Sequence, residues 1–298
     1  MKTQQAHSPH GREAAPRRRR TAQRAVPTLW LNLVCLDAPL VAVAWLWLFA
    51  RTFRIPFHVG NGLALFLTGW LIYLGDRLAD SASLEPDGPQ SLRQQFCRRH
   101  GKLWIILLAL AAGFDAYIIW RTTALETLLA GAVVGGLALI YLVLNHPLGL
   151  IWRSLPAKEL VIGLLFAAGI LVALLPALKS VSADFAVPAA FFAALCALNC
   201  ISIARWEHDL DRSQGKVSIA TRHPGIARYS GHIALSLGVA AFVMATIFPP
   251  AAPLLVCIGV SGFLLAWLHS RPVDTDSQTA LADLVLLTPI IPMIATAL

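Results

Sequence analysis

Long apolar stretches alternate with short polar segments along almost the whole chain. The stretches 29–50, 57–75, 103–120, 123–144, 159–178, 185–204, 230–248, 251–269 and 279–297 each hold about 18 to 22 residues. At 1.5 Å of rise per residue, each is long enough to cross a hydrocarbon core of about 30 Å. In lipid a backbone must satisfy its own hydrogen bonds, so the pattern predicts an all-α, polytopic membrane bundle of about nine helices. Most predicted connections are short. Two longer ones, 76–102 and 205–229, interrupt the series, and long connections in compact proteins more often carry function.

Composition agrees with this pattern. Of the 298 residues, 57% are hydrophobic and only 13% charged, too few to cover a water-soluble globule. The net charge of +8 therefore describes connections and the N-terminal tail. Residues 1–28 read as a disordered basic cytoplasmic tail, with four arginines at 17–20, and 29–298 as the transmembrane domain. The tail is a topology signal rather than a nucleic-acid-binding arm. The stretch 29–50 is longer than a signal-peptide core of about 7–15 residues, so it is expected to stay as a span.

With the tail cytoplasmic, nine spans place 76–102, 145–158, 205–229 and 270–278 on the same side. Those segments hold most of the remaining Lys and Arg, whereas the opposite side holds Arg51, Arg54, Arg121 and Lys179. The asymmetry predicts an integral protein of the bacterial inner (plasma) membrane with both long connections cytoplasmic. Four cysteines, Cys35, Cys196, Cys200 and Cys257, lie in apolar stretches, and Cys97 in a basic connection. None has zinc-site spacing, and they read as packing residues.

The two long connections begin with acidic clusters. Asp76 and Asp80 are four apart, and Glu207 and Asp211 repeat the spacing with Asp209 between them. Four-residue spacing places both carboxylates on one helix face. Like charges there repel, so two such pairs at equivalent places suggest a shared cation. Mg²⁺ suits hard carboxylate oxygens and takes one or two of them while waters and phosphate oxygens fill its other sites. Arg77, Arg212 and Lys216, interleaved with the acids, would neutralise a polyanionic leaving group. Polar residues also fall inside spans: Asn32, Asp37, Asp115, Glu126, Asn199 and Asp283. Asp37 and Asn199 lie deeper than the others, placed to face an internal cavity or to bond one helix to another.

This arrangement resembles the UbiA-type membrane prenyltransferases, which have about nine helices and cytoplasmic acidic motifs after the second and the sixth. The family's second motif, D-x-E-G-D-R-x-x-G-x-x-T, is matched by Glu207, Asp209, Asp211, Arg212, Gly215 and Ser218. The first, N-D-x-x-D-x-x-x-D, aligns its last two aspartates on Asp76 and Asp80 but meets Ile72 and Tyr73 at its leading pair. A Tyr followed four residues later by Lys has its counterparts in Tyr141 and Asn145, with the cation lost. The resemblance implies transfer of a prenyl group from an isoprenyl diphosphate to a lipophilic, commonly aromatic acceptor within membrane lipid. Asp76, Asp80, Glu207 and Asp211 would be catalytic and, with Asp209, would hold Mg²⁺. Arg77, Tyr141, Arg212, Lys216, Asn199 and Asp37 would bind substrate, with Trp70, Tyr73 and Trp206 near the charged end. The rival readings are an inert isoprenoid-binding homologue and a transporter using Asp37 and Asp283.

Overall fold

A computed structural model describes residues 27–85, 87–145, 158–174, 176, 178 and 182–296. The expected basic tail lies almost wholly outside the described residues, as does most of the connection 145–158. The described residues form fifteen α-helices and no strand: α1 Pro27–Leu33, α2 Asp37–Thr52, α3 Val59–Ala82, α4 Leu92–Arg99, α5 Gly101–Thr122, α6 Leu125–Asn145, α7 Lys158–Leu171, α8 Ala183–Trp206, α9 His208–Ser213, α10 Ile219–Arg222, α11 Pro224–Arg228, α12 Ser230–Ile247, α13 Ala252–His269, α14 Thr275–Leu284 and α15 Ile290–Ala295.

Six of these, α3, α5, α6, α8, α12 and α13 with the turn before it, are long and apolar enough to cross a membrane. The chain is an α-helical membrane protein. The other three predicted spans are shorter or divided. The stretch 29–50 breaks between α1 and α2, where Cys35 adopts a left-handed φ of 59°. There the Leu36 amide donates back to Leu31 O at 2.9 Å, and Asp37 restarts the helix by accepting the Ala38 amide at 3.0 Å. A carboxylate is favoured in a first helical turn, where the peptide dipoles present partial positive charge. The stretch 279–297 divides at 285–289, just before Pro289, which has no amide to donate, and within that break the Leu286 carbonyl accepts the Trp45 indole at 2.8 Å. Helix α7 stops at Leu171, shortly before Pro176.

The two most internal long helices are α8 and α13, whose apolar stretches are 50% and 56% buried; α5 and α6 bury only 11% and 6%. The latter two therefore turn side chains such as Trp120, Leu110 and Val133 outward, where lipid is the natural neighbour. Packing pairs α7 with α8, α12 with α13, and α3 with both α2 and α5. Trp45, Phe49 and Phe192 fill the centre, with Trp45 and Phe192 ring centroids 4.5 Å apart. Lipid tails are as apolar as these side chains, so close packing rather than escape from water holds the helices together. Gly163 makes the closest approach possible, since a Cβ there would lie 2.4 Å from the Ala197 nitrogen of α8.

Candidate functional site

At one end of the bundle, the ends of α3, α8 and α14 are knitted together by the two long connections. Ser91 caps α4 in a reciprocal box with Gln94, and Gln214 Nε2 donates to Pro89 O at 2.8 Å. The Leu92 amide donates to Asp276 Oδ1 at 3.2 Å. From the far side, Glu159 at the start of α7 accepts the Ile219 amide at 3.1 Å. Segments far apart in the chain thus close over one end of a cavity of about 800 Å³.

The chain geometry explains how the acidic residues reach that cavity. Asp76 and Asp80 occupy one face of the last turns of α3, and both line the wall. Glu207 ends α8 and begins α9, and Asp211 follows one helical turn later, its amide donating to Glu207 O at 2.8 Å. Helix α9 then ends in a Schellman turn: the Gly215 amide donates to Arg212 O at 3.2 Å and the Lys216 amide to Asp211 O at 2.8 Å. Gly215 has a φ of +66°, which side chains other than glycine rarely adopt. The turn carries Lys216 back across the cavity, where its Nζ donates to Asp80 Oδ2 at 2.8 Å.

Glu207 also has a basic partner from a distant segment. Arg93 Nη2 donates to its Oε2 at 2.5 Å, with only 13% and 10% of the two side chains exposed. Arg93 Nε and Nη1 are buried with no hydrogen-bond partner, although Arg93 faces the cavity. Arg77 lies over the Tyr73 ring, 4.7 Å from its centroid, and donates to the Tyr73 hydroxyl. Burial pushes the Asp211 carboxyl above the ordinary aspartate range, with the Lys158 ammonium opposing it most strongly.

Of the residues singled out from the sequence, Asp76, Arg77, Asp80, Tyr141, Asn199, Glu207, Asp211 and Lys216 line the cavity. Asp209 does not; it is fully exposed and meets His208 Nδ1 at 3.0 Å. Arg212 is exposed outside the lining. Asp37 lies behind the wall with 0% of its surface exposed. Trp70 donates instead to Val34 O at 3.0 Å, and Trp206 packs on His269. Four charged lining residues were not assigned to the site from the sequence: Arg93, Lys158, Glu159 and Asp283. Arg93 and Lys158 register there only as topology charges, and Glu159 opens an apolar stretch with no motif around it.

Beyond the charged end the lining is mostly apolar, with Leu128, Val134 and Ala138 of α6 and Ile162, Phe166 and Ile170 of α7, broken by Asn199 and Asp283. Among the described residues, no three His, Cys, Asp or Glu side chains stand together as a ready metal cage. Two separated carboxylate pairs facing one cavity fit Mg²⁺ that arrives with a diphosphate, because phosphate oxygens and waters then complete its coordination. The chain matches no known family model, no curated protein and no solved structure.

Proposed function

We propose that this protein is an intramembrane prenyltransferase of the UbiA type, moving a prenyl group from an isoprenyl diphosphate to a lipophilic, aromatic acceptor. The observation that carries this reading is the polarity of one cavity. Its charged end collects Asp76, Asp80, Glu207 and Asp211 with Arg77, Arg93, Lys158 and Lys216, while the remainder is mostly apolar. An amphiphile with a polyanionic head and a long hydrocarbon tail matches that division.

Asp76 and Asp80 from one side and Glu207 and Asp211 from the other would hold Mg²⁺, which supplies Lewis-acid stabilisation of a departing diphosphate. Lys216 and Arg93, now bonded to Asp80 and Glu207, exchange those partners for phosphate oxygens. Arg93 already presents two unpartnered N–H groups for the purpose. Tyr73 and Tyr141 offer aromatic faces to an allylic cation. The apolar walls exclude water that would otherwise capture it. Tyr73 and Ile72 line the cavity at the two places where the family pattern has acidic and amide ligands, so Tyr73 with Arg77 takes over the diphosphate side of that turn. The charged end and the N-terminus face the cytoplasm of a bacterial plasma membrane in this reading, which the basic connections support.

The test is Mg²⁺-dependent diphosphate release by purified protein from allylic diphosphates of several chain lengths, with phenols as acceptors. Release is expected from wild type and abolished by Asp76→Ala or Asp211→Ala. Wild-type protein inert with every donor refutes the reading and leaves an isoprenoid-binding homologue.

One observation favours a second reading. The divided pairs α1/α2 and α14/α15 bring Asp37 and Asp283 together, and broken helices meeting at polar residues occur in ion-coupled transporters. Proton movement into reconstituted vesicles, lost in Asp37→Asn, would select transport over transfer.

A further inference from the structure

Below the charged end, a second polar group stands in the wall of the same cavity. Asn199 precedes Glu207 by eight residues, about 12 Å of helix rise. Its Nδ2 donates to Asp283 Oδ1 of α14 at 2.8 Å, and both residues line the cavity. The Asp283 carboxyl lies beside that of Asp37. Asp37 is wholly buried and held by Asn32 Nδ2 at 2.7 Å and the Ala38 amide at 3.0 Å.

Tyr73 and Arg77 of α3, Cys196 and Cys200 of α8, and Cys35 are the other titratable groups around the pair. Among them only Arg77 is cationic, and it donates to Tyr73. Asn199 is 5% exposed, and its Oδ1 has no hydrogen-bond partner.

Two buried carboxyl groups side by side favour one proton between them, because like charges so close do not both ionise. The pair then carries one negative charge at membrane depth, where an uncharged group is favoured. Accepting one more proton makes it neutral. The unpartnered Asn199 Oδ1 beside it is an acceptor in want of a donor.

We infer that Asp283, positioned by Asp37 and Asn199, forms an acceptor subsite in which Asn199 Oδ1 receives a phenolic hydroxyl and Asp283 takes the proton from the prenylated ring carbon. The inference rests on the prenyltransferase reading above. The allylic carbon–oxygen bond breaks with its electron pair leaving on diphosphate, and a ring π pair forms the new carbon–carbon bond. The C–H electron pair then restores the aromatic ring as the proton passes to the unprotonated Asp283 oxygen. Asp283 is the catalytic residue of this step, and Asp37 a positioning residue that shares the proton.

The experiment compares wild type with Asp283→Asn, Asp37→Asn and Asn199→Ala as full chains in detergent, using allylic diphosphates and a panel of phenols and naphthols. Asp283→Asn is expected to lose transfer about a hundredfold, with thermal unfolding in detergent reporting an intact fold. Asn199→Ala raises the KM for the phenol more than it lowers kcat. Infrared spectra at neutral pH should show a carboxylic-acid C=O band, sensitive to D₂O, that Asp283→Asn and Asp37→Asn each remove and Asp76→Asn retains. Wild-type release with normal transfer by Asp283→Asn overturns the acceptor role alone. Wild type without any release overturns that role together with the prenyltransferase reading, and spectra unchanged in both aspartate variants overturn the shared proton.

Discussion

Lys216 Nζ and Asp80 Oδ2 are 2.8 Å apart although 136 residues separate them in the chain. This contact joins the segment after α8 to the last turn of α3, and so ties the two acidic clusters to one another. Both side chains are about a quarter exposed, 22% and 27%, so the pair itself adds only about 0–1 kcal/mol to stability. Its value lies in where it puts the ammonium.

Gly215→Val should separate those two effects. A β-branched residue at φ +66° costs about 1–2 kcal/mol and displaces Lys216. Binding of inorganic diphosphate with Mg²⁺, followed by calorimetry, should weaken roughly tenfold, as befits one charge-assisted hydrogen bond. Lys216→Ala should reproduce the weaker binding with little change in thermal stability. Undiminished binding in both variants would remove Lys216 from the diphosphate site.

The Arg93–Glu207 pair responds differently because it is more buried. Glu207→Ala leaves a guanidinium inside the protein without its carboxylate, a loss of about 3–5 kcal/mol. Glu207→Gln, still an acceptor, loses less, and Glu207→Ala with Arg93→Met recovers most of the stability. Unfolding curves in detergent check the order of the three.

The raised Asp211 carboxyl sets a pH dependence with a definite sign. Between the ordinary aspartate range and its raised folded value, the folded protein binds more protons than the unfolded chain. The stability this group contributes is therefore lost as pH rises through that window. Metal-binding capacity runs the other way, since only the carboxylate is a ligand. Lys158 is the strongest charge holding Asp211 down, so Lys158→Met should move the acid limb of diphosphate release to higher pH. A limb that stays in place means another group controls it.

Gly163 tests the wall rather than the charges. Any Cβ there meets the α8 backbone at Ala197, 2.4 Å away. Gly163→Ala should cost about 1–3 kcal/mol through overpacking and tilt α7, which carries Glu159 and Ile162 into the cavity. Thermal unfolding and donor chain-length preference should change together.

Much of the architecture is readable before folding is considered. Apolar length marks α3, α5, α6, α8, α12 and α13 as membrane-crossing helices. The four-residue spacing of Asp76 and Asp80 places both on one face, and both reach the cavity. The motif match groups Asp209 and Arg212 with their neighbours, yet both stand outside the lining. Helical periodicity already sets Asp209 about 200° round the axis from Glu207, on the face away from the cavity.

The helical membrane character of the chain is a local property, set by residue type, helix rise and the thickness of a hydrocarbon layer, and the sequence alone determined it. The approach of Asp37 to Asp283 and the choice of Arg93 as partner for Glu207 arose only in the tertiary structure. Each depends on a side chain supplied by a segment many turns away, as the Trp45 indole depends on Leu286 O, 241 residues later. No local repeat encodes which distant group will satisfy a buried polar atom, so packing made that selection.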